Sequence, residues 1–254
     1  MTNRELISLN IAKQLLPESS YSQGSFFEIY RSGIKQLFFT LTGKSLDFHF
    51  TMEDELNAYA FSVFETPVIC ISTGLFTGIF DFTYRLCENP YFFPKFGNPY
   101  NSKTYIQERT KPVINEDKII YSTSLFYNPE RLGFANMISN LAVWFILLHE
   151  IGHHIEGHLS YLFETQNLSF LAMKESQIKT VESKKYLERQ CIEMFSDFFA
   201  GTNLTSFVMQ NQGENDLFAG FVDNLEKKIT LLNASMTILF SFLDDLFFLK
   251  IRML

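Results

Sequence analysis

The chain is short of tryptophan, cysteine and positive charge, and each shortage narrows what it can be. It holds one Trp, seven Pro and three Cys in 254 residues. Cys70, Cys87 and Cys191 are odd in number and have no CxxC spacing. They read as reduced, mostly buried thiols, which suits a cytoplasmic protein. Lys and Arg total 21 against 28 Asp and Glu, for a net charge of −7. No global field is left to attract nucleic acid or an anionic membrane. The first residues lack the basic-then-apolar order of a signal peptide, with Arg4, Glu5 and Asn10 scattered among them. Unbroken apolar runs of membrane-spanning length are also missing. Ala135 to Leu148 is shorter than the roughly 20 residues a span needs and runs into His149 and Glu150. Ile229 to Leu249 is broken by Asp244 and Asp245. Both read as buried helices, so membrane association is not expected; a C-terminal helix resting on a membrane surface is the alternative. No internal repeat or low-complexity tract occurs.

What is abundant is apolar. Hydrophobic residues make up 46% and charged residues 19%, which excludes a disordered chain. Twenty-nine Phe point to a Phe-rich core. The length suits a single domain over 1–254.

Turn and cap signals divide the chain. A short amphipathic helix is expected around Arg4 to Leu16, stopped by Pro17, and a second from about Phe26 to Leu41. Ala58 to Phe61 and Val68 to Ile71 are strand-like runs divided by Pro67 and ended by Gly74, fitting two neighbouring antiparallel strands. A short apolar run follows to Phe82. Residues 88–117 hold Pro90, Pro94, Pro99 and Pro112, and read as a long loop or insertion. Lys118 to Phe126 looks like one more strand. Asn128-Pro129-Glu130 is a helix start: an Asn cap, Pro at the first helical position and an acidic first turn. That helix is apolar on every face through Leu148, which places it at the centre of the fold. A polar segment from Glu164 to Lys185, a helix from Ser183 to Gln210 and a helical region over about 215–254 complete the chain. The expected class is α+β, mainly helical, with a small, mostly antiparallel sheet beside the central helix.

Four of the five histidines fall between residues 149 and 158. His149 and His153 are four apart, so on a helix both imidazoles leave one face and can hold one zinc ion. Glu150 stands one step round, where a carboxylate reaches a metal-bound water without being a ligand. Gly152 lets other backbone approach. Charge in an otherwise apolar helix must be paired or coordinate metal, and Ile151 and Ile155 continue the apolar stripe, which argues against a solvent-facing polar end. Catalytic zinc takes three protein ligands. The metzincin spacing needs Gly at 156 and His at 159, but the sequence reads Glu156-Gly157-His158-Leu159, which leaves His158 one residue early and reads as a histidine behind the ligands or at the surface. A better third ligand lies downstream. Arg189, Glu193 and Asp197 form one charged stripe on a helix rich in Phe, Ile and Met. That pattern is also common on solvent-facing helices. Beside HExxH it assigns Glu193 as ligand, Asp197 as acceptor of the outer N–H of a liganding histidine, and Arg189 as charge balance. Ala200 and Gly201 permit close helix packing.

HExxH followed about forty residues later by Glu-x-x-x-Asp resembles the gluzincin peptidases. The groups it looks most like are HtpX-like enzymes with the related CAAX-processing peptidases, the ImmA/IrrE type, and above all the Lit type. Asn57-Ala58-Tyr59-Ala60 leading to Ser72-Thr73-Gly74-Leu75 is similar to the strand upstream of the motif in HtpX-like enzymes. The likeness covers about residues 55–80 and 129–205. Ser196 departs from it, standing where Ala is usual, and the loop after Ala60 lacks the family's Gly. The resemblance implies a zincin-like fold in which the 58–60 strand borders the cleft. Lit-type enzymes cleave a cytoplasmic translation factor during phage infection, which suggests a protein substrate and a role in phage defence or stress regulation.

The expected chemistry is hydrolysis of a peptide bond by zinc-activated water, with Glu150 as general base. His158, Tyr161 and Asn57 are the candidate oxyanion donors. An extended substrate would add as a strand beside Ala58, Tyr59 and Ala60, with the Pro-rich insertion and 164–185 as lids. The competing reading is a non-catalytic zinc staple in a regulatory or protein-binding module. It requires a closed shell of four protein ligands, completed for instance by His158.

Overall fold

The computed structural model describes residues 25–51, 56–63, 65–89, 91–94, 113–115, 118–120, 129–166, 170–172, 183–210 and 224–252. The expected helix at Arg4 to Leu16 and most of the Pro-rich insertion lie outside them. So do residues 121–128, 173–182 and 211–223. In chain order the elements are α1 (Ser25–Thr42), β1 (Asp47–Thr51), β2 (Ala58–Val63), β3 (Thr66–Ser72) and α2 (Thr73–Glu88). There follow β4 (Val113–Asn115), β5 (Lys118–Ile120), α3 (Pro129–Ile155), α4 (His158–Gln166), β6 (Phe170–Ala172), α5 (Ser183–Gln210) and α6 (Leu225–Arg252). The class is α+β and mainly helical, as expected.

The chain divides into two compact units, each drawn from three separate stretches. The first takes residues 1–76, 115–118 and 146–202, and so includes the last turns of α3 and most of α5. It contains a four-stranded sheet of order β1-β3-β2-β6. β2 and β3 pair antiparallel as the alternating apolar runs suggest, from Ala58 opposite Ile71 to Val63 opposite Thr66. Glu65 takes φ 69 in the turn between them, a left-handed conformation that lies uneasily with a Cβ. β1 adds parallel to β3 on the other side, Phe48 and Phe50 pointing inward. One face is a Phe cluster: Phe76 meets Phe50 and Tyr30 edge-on, with ring centroids 5.5 and 5.3 Å apart.

Ser72 joins sheet to helix. Its hydroxyl accepts from the Leu75 N–H, an N-cap for α2, and from the Asn57 N–H. The Ser72 N–H in turn donates to the Asn57 carbonyl. The short apolar run expected after Gly74 is therefore a sixteen-residue helix. Its buried positions, Leu75, Phe76, Ile79, Phe80, Thr83, Tyr84 and Cys87, recur with helical spacing.

The second unit takes residues 77–114, 119–145 and 203–254. Ring pairs Phe82–Phe242, Phe145–Phe240 and Phe93–Phe134 hold its helices. Arg131 is buried there and donates to the carbonyls of Cys87, Asn89, Phe92 and Phe93. Five N–H groups in one plane suit the carbonyls that gather at the end of α2 and in the turn after it. Among the described residues one helix is long and apolar enough to cross a membrane, Arg131–Ile155, and 67% of its most apolar 18 residues is buried inside the protein. Its last turns, Phe145 to His153, are buried throughout, while Leu132, Gly133, Asn136, Met137, Asn140 and Trp144 are half-buried.

Candidate metal centre

The site lies within the first unit and is built on α3 and α5. His149 and His153, one turn apart, stand with ring centroids 4.7 Å apart, and their Nε2 atoms approach to 3.0 Å. From α5 the Glu193 Oε2 reaches 3.1 Å from the Nε2 of His149 and 3.5 Å from that of His153. The three donor atoms lie within 4.8 Å of one another. Ligands about 2.0–2.1 Å from a tetrahedral ion stand about 3.3 Å apart, so these donors already have the spacing one ion requires. Both histidines are buried, while the Glu193 side chain is 38% exposed, so the cluster meets solvent on its carboxylate side.

Close packing makes the arrangement. Gly152 lies between the two histidines on α3, and a Cβ there would sit 3.3 Å from the Cα of Ser196 and 3.3 Å from the Phe199 ring. The expectation that Gly152 admits other backbone holds, and Ser196 supplies that backbone.

Behind His149, the Asp197 Oδ1 lies 2.8 Å from Nδ1, the outer-nitrogen contact expected from the sequence. Burial alone would lower the His149 pKa. Hydrogen bonds to Asp197 and Glu193, with the charge of Glu150, outweigh it and lift the metal-free imidazole to about 10. For Glu193 burial works upward, but the hydrogen bonds and charge of the two histidines bring it down to about 2. The cluster is built to hold positive charge between an imidazole pair and a carboxylate: a proton when metal-free, or a metal ion.

Glu150 is 1% exposed, and among the described residues its Oε1 has no hydrogen-bond partner. Burial raises its pKa, against the lowering pull of His149 and His153. A buried carboxylate oxygen without a donor, next to three converging ligand atoms, fits a metal centre carrying a polar group of its own.

His158 stands behind a ligand, one of the two places expected of it, while the contacts of Ser196 and His154 were not anticipated. Gly157, at φ 71, ends α3 and turns the chain so that α4 begins at His158. The His158 Nδ1 then lies 3.2 Å from the Nδ1 of His153, away from the Nε2 cluster. The Ser196 Oγ lies 3.1 Å from the first and 3.2 Å from the second of the nitrogens His153 Nδ1 and His158 Nδ1. His154 turns from the cluster altogether, its Nε2 3.1 Å from the Val68 carbonyl and its ring edge-on to Phe38. Helix spacing carried a signal for Ser196, three residues past Glu193 on the same face as Asp197. For His158 the signal was the helix-ending glycine before it.

Other expected residues fall differently. Over Tyr59 to Phe61, β2 already has β3 on one side and β6 on the other. Ala58, Tyr59 and Ala60 are buried, and Tyr59 and Ala60 are paired on both sides, so a substrate strand has no free main-chain edge at these two; among the described residues the outer strands of this sheet are β1 and β6. The cause is Phe170–Ala172, inside the segment expected to be a polar lid. Asn57 is buried and tied through its main chain to Ser72. Tyr161 is 43% exposed on α4, and Arg189 is half-buried one turn before Glu193.

No protein-family model, curated protein or solved structure matches this chain.

Proposed function

We propose that this protein is a zinc-dependent endopeptidase of the gluzincin kind with a zincin-like fold, acting on a protein substrate in the cytoplasm. One observation carries the reading: the convergence of His149 Nε2, His153 Nε2 and Glu193 Oε2 with the spacing of three ligands to one ion. Imidazole and carboxylate donors in tetrahedral spacing suit zinc. Zinc held there supplies a water activated near neutral pH and a Lewis acid for the scissile carbonyl.

The chain's own residues do the rest. Glu150 takes a proton at its partnerless Oε1 and delivers it to the leaving amine nitrogen, and its raised pKa suits that exchange. Asp197 holds the proton on Nδ1 of His149, which leaves Nε2 as the ligand atom. Glu193, partly exposed, lies toward the side from which substrate enters. His158, Tyr161 and Asn57 remain the candidates for the oxyanion donor, with His158 the least suited because its Nδ1 faces the outer edge of His153. The same placement argues against a closed four-ligand staple. The resemblance to Lit-type peptidases supports a protein target and a role in phage defence or stress regulation.

The test is a pair of variants assayed for zinc content and for new protein N-termini in expressing cells. Glu150→Gln is expected to keep one zinc per chain and to lose hydrolysis by 10²-fold or more. Glu193→Gln is expected to lose most of its zinc. Wild-type cleavage by Glu150→Gln would refute the assigned base; full zinc in Glu193→Gln would move the third ligand elsewhere.

A further inference from the structure

We infer that Ser196 and His158 form a neutral relay that fixes the tautomer and the aim of His153, doing for this imidazole what the Asp197 carboxylate does for His149. The inference rests on the metal reading above and concerns residues outside the ligand set.

The two imidazoles present the same atom, Nε2, to the cluster but have different groups behind them. His149 has a carboxylate oxygen at 2.8 Å. Behind the Nδ1 of His153 there are a hydroxyl at 3.1 Å and an imidazole nitrogen at 3.2 Å. With Nε2 committed to a metal, the ring proton of His153 must sit on Nδ1. Ser196 Oγ is placed to accept it. A hydroxyl that accepts there still has its own proton to donate, and the His158 Nδ1, 3.2 Å away, takes it. That nitrogen must then offer a lone pair, with the His158 proton on Nε2. One ordering satisfies all three groups: His153 Nδ1–H to Ser196 Oγ, and Ser196 O–H to His158 Nδ1.

Burial makes the ordering matter. Ser196 is fully buried, His153 is 2% and His158 8% exposed, so solvent does not substitute for a missing partner. Two features of the chain build the relay. Gly152 lets the Ser196 backbone come within reach of α3, and the left-handed turn at Gly157 returns the chain toward His153. The backing of His153 is uncharged, and among the described residues the ion-pair partners of the two imidazoles, Glu193 and Asp197, both come from α5.

The experiment uses the full chain loaded with zinc, or with cobalt as a spectroscopic reporter. Long-range ¹H–¹⁵N correlation of the zinc-loaded wild type is expected to show His153 protonated at Nδ1, and His158 neutral with its proton on Nε2. Ser196→Ala is expected to bind zinc about 10-fold more weakly or worse by chelator competition, and to shift the visible bands of the cobalt form. His158→Phe is expected to do the same, and the double variant to lose little more than either single, since the two act in series. A His153 found bonded to metal through Nδ1 overturns the relay without any variant having to fold. So do single variants with wild-type affinity and an unchanged cobalt spectrum. A wild type that takes up neither metal overturns the relay together with the metal reading.

Discussion

Gly152 and Ser196 bring α3 and α5 so near that a Cβ on the glycine would stand 3.3 Å from the serine Cα. One helix carries the imidazole pair and the other the carboxylates, so this approach sets the distances within the cluster. Gly152→Ala therefore separates two effects. Alanine favours the helix by up to about 1 kcal/mol, while the crowding against backbone and the Phe199 ring costs about 1–3 kcal/mol. Unfolding is expected to shift little, with a modest net loss. Metal affinity is expected to fall about 10-fold or more, because the ligand sets move apart by a few tenths of an ångström. Thermal melting and chelator competition on one preparation test this; unchanged affinity would show that the helices can slide without disturbing the site.

How much of this was legible depends on where the forces act. α3 announced itself through Asn128-Pro129-Glu130 and its apolar run, and α5 through the Glu193/Asp197 spacing; both are local patterns. α2 is visible in the sequence only as a short apolar run to Phe82, because Gly74 reads as the end of the preceding strand. Its true signal was spacing, with Leu75, Phe76, Ile79, Phe80, Thr83, Tyr84 and Cys87 on one face. β1 was overlooked although Phe48 and Phe50 alternate as a half-buried strand does. β6 is another matter. Three residues in a polar tract owe their strand to pairing with Tyr59 to Phe61, a partner more than a hundred residues away, and no local pattern reports that. The outer nitrogen of His149 was legible because Asp197 follows Glu193 by one turn. That of His153 was legible only in part: His158 reads as a histidine behind the ligands or at the surface, but its pairing with Ser196 joins two helices and no local pattern reports it.

A proton count follows from the environment of His149. Its metal-free pKa is raised to about 10, so at pH 8 the imidazole is charged and must shed its proton to ligate. Zinc uptake at pH 8 is expected to release one proton from His149, and affinity to climb with pH until about 10. The sign for folding runs with the raised pKa: the stability that the charged imidazole gives the metal-free protein is fully present below about 6.5 and is lost as pH rises through about 10. Asp197→Asn removes the strongest of the raising contacts. It should bring proton release below one and weaken zinc binding about 10- to 100-fold. Calorimetry in two buffers of different ionisation enthalpy reads the count; no release in the wild type would mean His149 is neutral before metal arrives.

Arg131 supplies a prediction that the metal centre should not feel. Its guanidinium reaches the carbonyls of Cys87, Asn89, Phe92 and Phe93 at 2.8, 3.0, 2.6 and 3.3 Å. All four belong to the end of α2 and the turn after it, where carbonyls carry partial negative charge and are short of intrahelical donors; that of Asn89 also accepts from the Phe92 N–H. Arg131→Met keeps the volume and removes the guanidinium donors from these carbonyls, at a cost of about 2–4 kcal/mol. For a chain of this size that is a melting temperature lower by roughly 4–16 °C. Arg131→Lys should recover part of the loss, since one ammonium offers three donors rather than a planar fork. Zinc stoichiometry is expected to stay at one in both, because Arg131 belongs to the second unit and every ligand to the first. Denaturant midpoints beside metal content decide it. An Arg131→Met variant as stable as wild type would mean the carbonyls find other donors, and one that folds but loses zinc would mean that this turn supports the metal ligands.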